Sequence, residues 1–158
     1  MVLKTESEEQ TLELGVALSS ILKKGDVLLL HGELGAGKSV LTRGIALGMG
    51  ISEPVTSPTF NIFNIYCGSK GKLYHFDLYR ISDPDELFEI GFEDFISDGE
   101  AISVIEWPDI AKGSLPGNCI EVSINADGRN RYFDFREDNE FERKIKTIES
   151  IEDEYAVN

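Results

Sequence analysis

The sequence predicts a single α/β domain in which a glycine-rich loop joins a buried strand to a helix. Three observations carry this. The chain has 158 residues, 41% of them apolar, enough for one packed core. Short, wholly apolar runs, as expected of strands buried on both faces, alternate with segments whose apolar residues recur at helical spacing. One of those runs leads directly into Gly32-Glu33-Leu34-Gly35-Ala36-Gly37-Lys38-Ser39. No internal repeat or linker divides the chain, so residues 1–136 read as one domain and residues 137–158 as an acidic C-terminal helix or partly disordered tail.

The elements follow in order. Ser7 reads as a helix cap with Gln10 three residues on. Leu14, Ala17, Leu18, Ile21 and Leu22 then lie at helical spacing, and Gly25 is expected to end the helix. Val27 to Leu30 is the apolar strand before the loop. Lys38 to Met49 reads as a helix, with Leu41, Ile45 and Met49 on one face and Gly44 and Gly48 permitting close packing. Phe60–Tyr66 and Lys72–Asp77 predict a hairpin around Gly68-Ser69-Lys70-Gly71. Asp83-Pro84-Asp85-Glu86 starts a short helix that ends near Gly91. Ala101–Ile105 is a second apolar strand. Cys119–Ile124 and Arg131–Phe135 form an antiparallel pair. From Glu137 to Glu154 there are eight acidic and three basic residues, which predicts a solvated helix or a partly disordered tail.

The loop Gly32–Ser39 satisfies G-x-x-x-x-G-K-[ST], the phosphate-binding loop. Its glycines let backbone N–H groups form a nest around phosphate oxygens, and the positive end of the following helix adds to the attraction. Lys38 reaches the β- and γ-phosphates, and the Ser39 hydroxyl is a ligand for Mg²⁺. The expected nucleotide contacts are Glu33, Leu34, Gly35, Ala36, Gly37, Lys38, Ser39 and Val40. A chance match at any one start is on the order of 10⁻⁵ to 10⁻⁴, and the strand before and helix after supply the context the motif needs.

Bulk properties exclude other classes. With 15 Lys plus Arg against 29 Asp plus Glu, the formal charge is −14. That argues against a stand-alone nucleic-acid binder, whose affinity comes from neutralising phosphates, although a local basic face is compatible with it. Cys67 and Cys119 have neither zinc-ligand spacing nor a disulfide framework, which fits a reducing cytoplasm. The start of the sequence lacks the apolar stretch of a signal peptide, and no run approaches 18 apolar residues.

A phosphate loop needs a carboxylate to hold the metal shell and orient water. Glu106 follows the apolar strand Ala101–Ile105, where ligands bind in α/β sheets, and is the first candidate. Asp77, ending the other strand, is the second. Thr59 in Ser57-Pro58-Thr59-Phe60 resembles the loop threonine that senses the γ-phosphate in switch-type NTPases. His75 and Trp107 read as packing residues.

The phosphate loop, together with Ser57-Pro58-Thr59-Phe60, His75-Phe76-Asp77-Leu78-Tyr79-Arg80 and Ile105-Glu106-Trp107, resembles the bacterial TsaE family, also called YjeE-type ATPases, from Ser7 to about Phe135. The resemblance implies a single P-loop NTPase-type domain with a mixed sheet flanked by helices. It implies ATP hydrolysis in the making of N6-threonylcarbamoyladenosine at tRNA position 37, with TsaD and TsaB as protein partners and tRNA met only through them. It implies Ser39 and Glu106 at Mg²⁺, and Asp77 and Thr59 beside the γ-phosphate. It also implies a late-strand arginine near the nucleotide, with Arg131 the better match and Arg129 the other, and a contact from Glu8 near the base. Two other classes are disfavoured. A small kinase would carry an arginine-rich lid, and a GTP-driven switch would carry Asn-Lys-x-Asp; neither is visible in the sequence.

Overall fold

The computed structural model describes residues 1–58, 61–136, 139–146, 155 and 157. Seven strands form one mixed sheet in the order β1-β7-β6-β2-β5-β4-β3. These are β1 (Val2–Thr5), β2 (Val27–His31), β3 (Phe63–Gly68), β4 (Gly71–Asp77), β5 (Ala101–Glu106), β6 (Ile120–Asp127) and β7 (Asn130–Phe135). The inner four, β6-β2-β5-β4, are parallel; β3 joins β4, and β7 joins β6 and β1, antiparallel. The inner strands β2 and β5 are covered on both faces, which is why their apolar residues are not confined to alternate positions.

Helices α1 (Glu8–Ser19) and α2 (Lys38–Gly48) pack together on one face, where Leu14, Leu18, Leu41 and Ile45 meet Leu28, Leu30, Val104 and Val122. Their approach is close because Gly15 and Gly44 face each other: a Cβ on Gly15 would lie 2.7 Å from Gly44 Cα. On the other face α3 (Asp85–Glu89) and α4 (Phe92–Ser97) seat Leu87, Phe92 and Ile96 against Leu29, Phe76 and Ile105. Burying a side chain such as Phe92 completely stabilises the fold by about 1.5–3 kcal/mol.

Several local outcomes differ from the sequence expectation. Helix α1 stops at Ser19, not at Gly25. The hydroxyls of Ser19 and Ser20 donate to the carbonyls of Val16 and Ala17 and compete with the helical ladder. Gly25 instead starts the approach to β2, its N–H bonded to Ala101 O at 2.9 Å. Strand β1, helix α4 and a 3₁₀ helix at Pro108–Ser114 were not expected. Each is short, and β1 exists only through its pairing with β7. The acidic segment contains a helix, as one of the two sequence readings has it, α5 (Asn139–Lys146), but its Phe141 and Ile145 are buried in the α1/α2-side core rather than solvated; residues 147–154 of that reading lie outside the described residues. The charges that dominate its composition hide a two-residue apolar face.

Candidate functional site

The cleft forms at the carboxyl ends of β2, β5 and β4, where the chain must leave the sheet and helices cannot cover it. Its volume is about 400 Å³. The loop after β2 curls over it. Gly35 (φ +77°) and Gly37 (φ +114°) lie in the left-handed region, which side chains with a Cβ rarely adopt, and Gly37 caps α2. Leu34 to Val40 line the cleft, and Glu33 contributes its carbonyl just behind them.

Lys38, the first residue of α2, is buried although charged. Its ammonium donates to the carbonyls of Gly32 and, at 3.0 Å, of Glu33, and lies 4.0 Å from the centroid of the Trp107 ring. Burial pushes the Lys38 pKa down, against the opposing pull of Glu106, Asp77 and Glu33. Asp77 and Glu106 are directly opposite each other in the β4/β5 register, so the two carboxylates share one end of the cleft. Burial pushes the Asp77 pKa up, and the Glu106 charge adds to this, while a 3.0 Å bond accepted from the Tyr79 N–H works the other way.

The sequence-derived residues divide clearly. Lys38, Ser39, Asp77, Glu106, Val40, Glu8, Arg129 and Arg131 all line the same cleft. Arg131 reaches the loop itself, with Nη2 donating to Gly35 O at 3.5 Å while Nη1 is held by the carbonyls of Gly128 and Asn130. Glu8, exposed at the start of α1, pairs with Arg43 at 2.9 Å. Thr59 lies outside the described residues. Its neighbour Ser57 is the hydroxyl that the structure brings to Ser39, Oγ to Oγ at 2.9 Å. Three cationic side chains, Lys38, Arg129 and Arg131, thus converge on one cleft of a chain whose net charge is −14.

Two residues read from sequence as packing touch this site, Trp107 in its lining and His75 behind Glu106. His75 Nε2 lies 2.7 Å from Glu106 Oε2, and both side chains are buried. The signal for it was present: His75 stands two residues before Asp77 on one strand, so both side chains face the same way. Trp107 carries the one positive φ (+56°) of a non-glycine residue among the described residues. That turn lays its ring under Lys38 and 4.9 Å from the Tyr79 ring. Nothing in the sequence marks a tryptophan for left-handed backbone.

The donor set fits Mg²⁺. It consists of hard oxygens: the Ser39 and Ser57 hydroxyls and the carboxylates of Asp77 and Glu106. Among the described residues no group of three or more His, Cys, Asp or Glu could by itself hold a metal.

Fold and site together define an α/β protein with a glycine-rich strand-to-helix loop set against two strand-end carboxylates. The comparisons with known proteins carry this further. The family described as Threonylcarbamoyl adenosine biosynthesis protein TsaE matches residues 5–133. A Rickettsia conorii protein named tRNA threonylcarbamoyladenosine biosynthesis protein TsaE is 41% identical over 126 residues, covering 79% of this chain and 71% of the relative. Its namesake from Treponema pallidum is 36% identical over 126 residues, covering 78% and 92%. The crystal structure of YdiB from Bacillus subtilis superposes with a TM-score of 0.70 at 30% identity, covering 93% of this chain and 92% of that one. The chain belongs to the TsaE family.

Proposed function

We propose that this chain binds and hydrolyses Mg-ATP, and that its ATP cycle supports a TsaB–TsaD assembly in the N6-threonylcarbamoyladenosine modification of tRNA position 37. The observation that carries the ATPase reading is the single cleft in which Lys38 and Ser39 face Asp77 and Glu106. The names of the relatives supply the tRNA modification, and tRNA modification in turn supports a cytoplasmic location. Among the described residues no helix is long and apolar enough to cross a membrane.

In this reading the loop amides from Gly35 to Ser39 bind the phosphates. Lys38 leaves the carbonyls of Gly32 and Glu33 to neutralise the β- and γ-phosphates, and Arg131 closes the loop side. Ser39 and Glu106 hold Mg²⁺, with Ser57 and Asp77 beside them. When bound with the nucleotide, Mg²⁺ supplies positive charge that offsets the charge developing on the phosphate oxygens. Glu106 or Asp77 orients the attacking water and takes its proton as the water oxygen bonds to the γ-phosphorus and ADP leaves. Thr59 and Glu8 are the remaining proposed contacts, at the γ-phosphate and the base.

A charge of −14 and one small domain argue against grasping tRNA unaided. The test is an ATPase assay of the chain alone, with TsaB–TsaD, and with tRNA alone. The expected result is slow hydrolysis alone and stimulation by the protein pair. Stimulation by tRNA with none from the pair would replace this reading with a directly RNA-acting ATPase.

A further inference from the structure

We infer that His75 is a positioning residue for hydrolysis: its ring Nε2–H fixes one oxygen of Glu106, so that the other is presented to the nucleotide cleft. The inference rests on the ATPase reading above. Period-two alternation puts His75, Asp77, Val104 and Glu106 on one face of the sheet, and the β4/β5 register sets His75 opposite Val104 and Asp77 opposite Glu106. The 2.7 Å contact therefore runs diagonally between neighbouring parallel strands, both rigid and both central to the fold. Glu106 has the geometry of a group that must not swing. It is the last residue of β5, its side chain is 3% exposed, and the next residue turns sharply into left-handed backbone.

The hydrogen-bond inventory around the ring gives the direction. His75 Nδ1 is a buried atom without a hydrogen-bond partner among the described residues. With the proton on Nε2, the ring donates to the carboxylate, and Nδ1 is a bare acceptor. With the proton on Nδ1, the structure would hold a buried orphan donor and two acceptors facing each other at 2.7 Å. The arrangement is the histidine–carboxylate pair by which outer groups orient ligands at metal and phosphate sites, here with the carboxylate as the group that meets the ligand. His75 does not line the cleft, whereas Glu106 does, so His75 acts through Glu106.

The test uses the full chain with His75→Leu, His75→Gln, His75→Asn, Glu106→Gln and the double variant His75→Leu/Glu106→Gln. Two quantities are measured: the single-turnover rate of ATP hydrolysis, and ADP affinity in EDTA and in Mg²⁺. His75→Leu is expected to slow hydrolysis about 10- to 100-fold. It should shrink the Mg²⁺-dependent gain in ADP affinity while leaving affinity in EDTA within about twofold. His75→Gln, whose amide nitrogen sits where Nε2 was, should recover most of the rate. His75→Asn places its amide at the Nδ1 position, out of reach of Glu106, and should stay slow with a melting temperature matching the Gln variant. In the Glu106→Gln background, His75→Leu should add less than about a twofold loss, because residues acting as a unit are not additive. Independent, multiplying losses, an equal loss of ADP affinity with and without Mg²⁺, or an unchanged rate in His75→Leu would each overturn the inference. If the wild-type chain binds no adenine nucleotide, the ATPase reading itself fails; normal wild-type turnover with indifferent His75 variants sinks only the role of His75.

Discussion

Two hollows flank the carboxyl end of β2, and each sets a basic side chain between two acidic ones. In the cleft under the glycine-rich loop Lys38 faces Asp77 and Glu106. On the other side, a hollow of about 630 Å³ holds His31, the last residue of β2, with Nδ1 3.8 Å from Asp109 and Nε2 3.5 Å from Glu121. Burial separates them. The side chains of Asp109 and Glu121 are 76% and 35% exposed, and Glu121 is shared with Arg136 at 2.9 Å. In that hollow the carboxylates meet water, and contacts this exposed contribute little, about 0–1 kcal/mol. In the cleft Lys38 is 5% and Glu106 2% exposed, so desolvation moves Lys38 down and Asp77 up. Charge proximity is common to both hollows; desolvation of the facing ammonium and carboxylate distinguishes the cleft.

The largest effect that follows is at Lys38. Lys38→Ala should lower ATP turnover by about 10²–10³-fold, the scale of removing one preorganised charge from a phosphate or oxyanion site. Because the buried ammonium is held at a lowered pKa, the nucleotide-free variant should melt no lower than wild type near neutral pH. Near wild-type turnover from folded Lys38→Ala would remove the contrast between the two hollows.

Glu106→Gln comes next. Single-turnover hydrolysis should fall about 10²-fold or more, while calorimetric nucleotide affinity stays within a few-fold, since the loop amides and Lys38 carry binding. Unchanged hydrolysis would transfer the role to Asp77. Arg131→Ala should act on the other axis, weakening nucleotide affinity by about tenfold, about 1.4 kcal/mol, with a smaller change in the chemical step. Equal affinities for the Arg131 variant and wild type, with a loss in Arg129→Ala, would reassign the late-strand contact.

Asp77 sharpens the comparison through pH. Its folded pKa is raised above 3.8, so the folded state holds that proton more tightly than the unfolded chain does. Between 3.8 and the raised value the native state binds more protons, and stability falls as pH rises; above that window the full cost of the buried charge is present. Asp77→Asn should therefore raise the melting temperature of the nucleotide-free protein near pH 7 and give no gain below pH 3.8. A loss at neutral pH would mean that the Tyr79 bond outweighs burial. The smallest effect is at His31. His31→Gln should change stability by no more than about 0.5 kcal/mol and turnover by less than about twofold, measured by melting and steady-state assay.

Much was legible in the amino-acid sequence because its causes are local. Gly35 and Gly37 declare a tight strand-to-helix loop through backbone freedom, and Lys38 and Ser39 start the helix that follows it. Val27–Leu30 and Ala101–Ile105 declare strands buried on both faces because no alternation survives when both sides meet a core. Glu106 and Asp77 were placed because an acid at the end of such a strand emerges where helices leave the sheet open. Tertiary structure alone decided the rest. Strand β1 is four residues long and acquires its identity from β7, more than 120 residues away. Helix α5 reads as solvated until Phe141 and Ile145 find the core. His75, Ser57 and Trp107 join the site through contacts with residues 31, 18 and 69 positions away, to Glu106, Ser39 and Lys38. Spacing along a chain reports the geometry of one turn or one strand. Which carboxylate meets which imidazole is set by strand order and register, and these are settled only when the whole sheet assembles around its core.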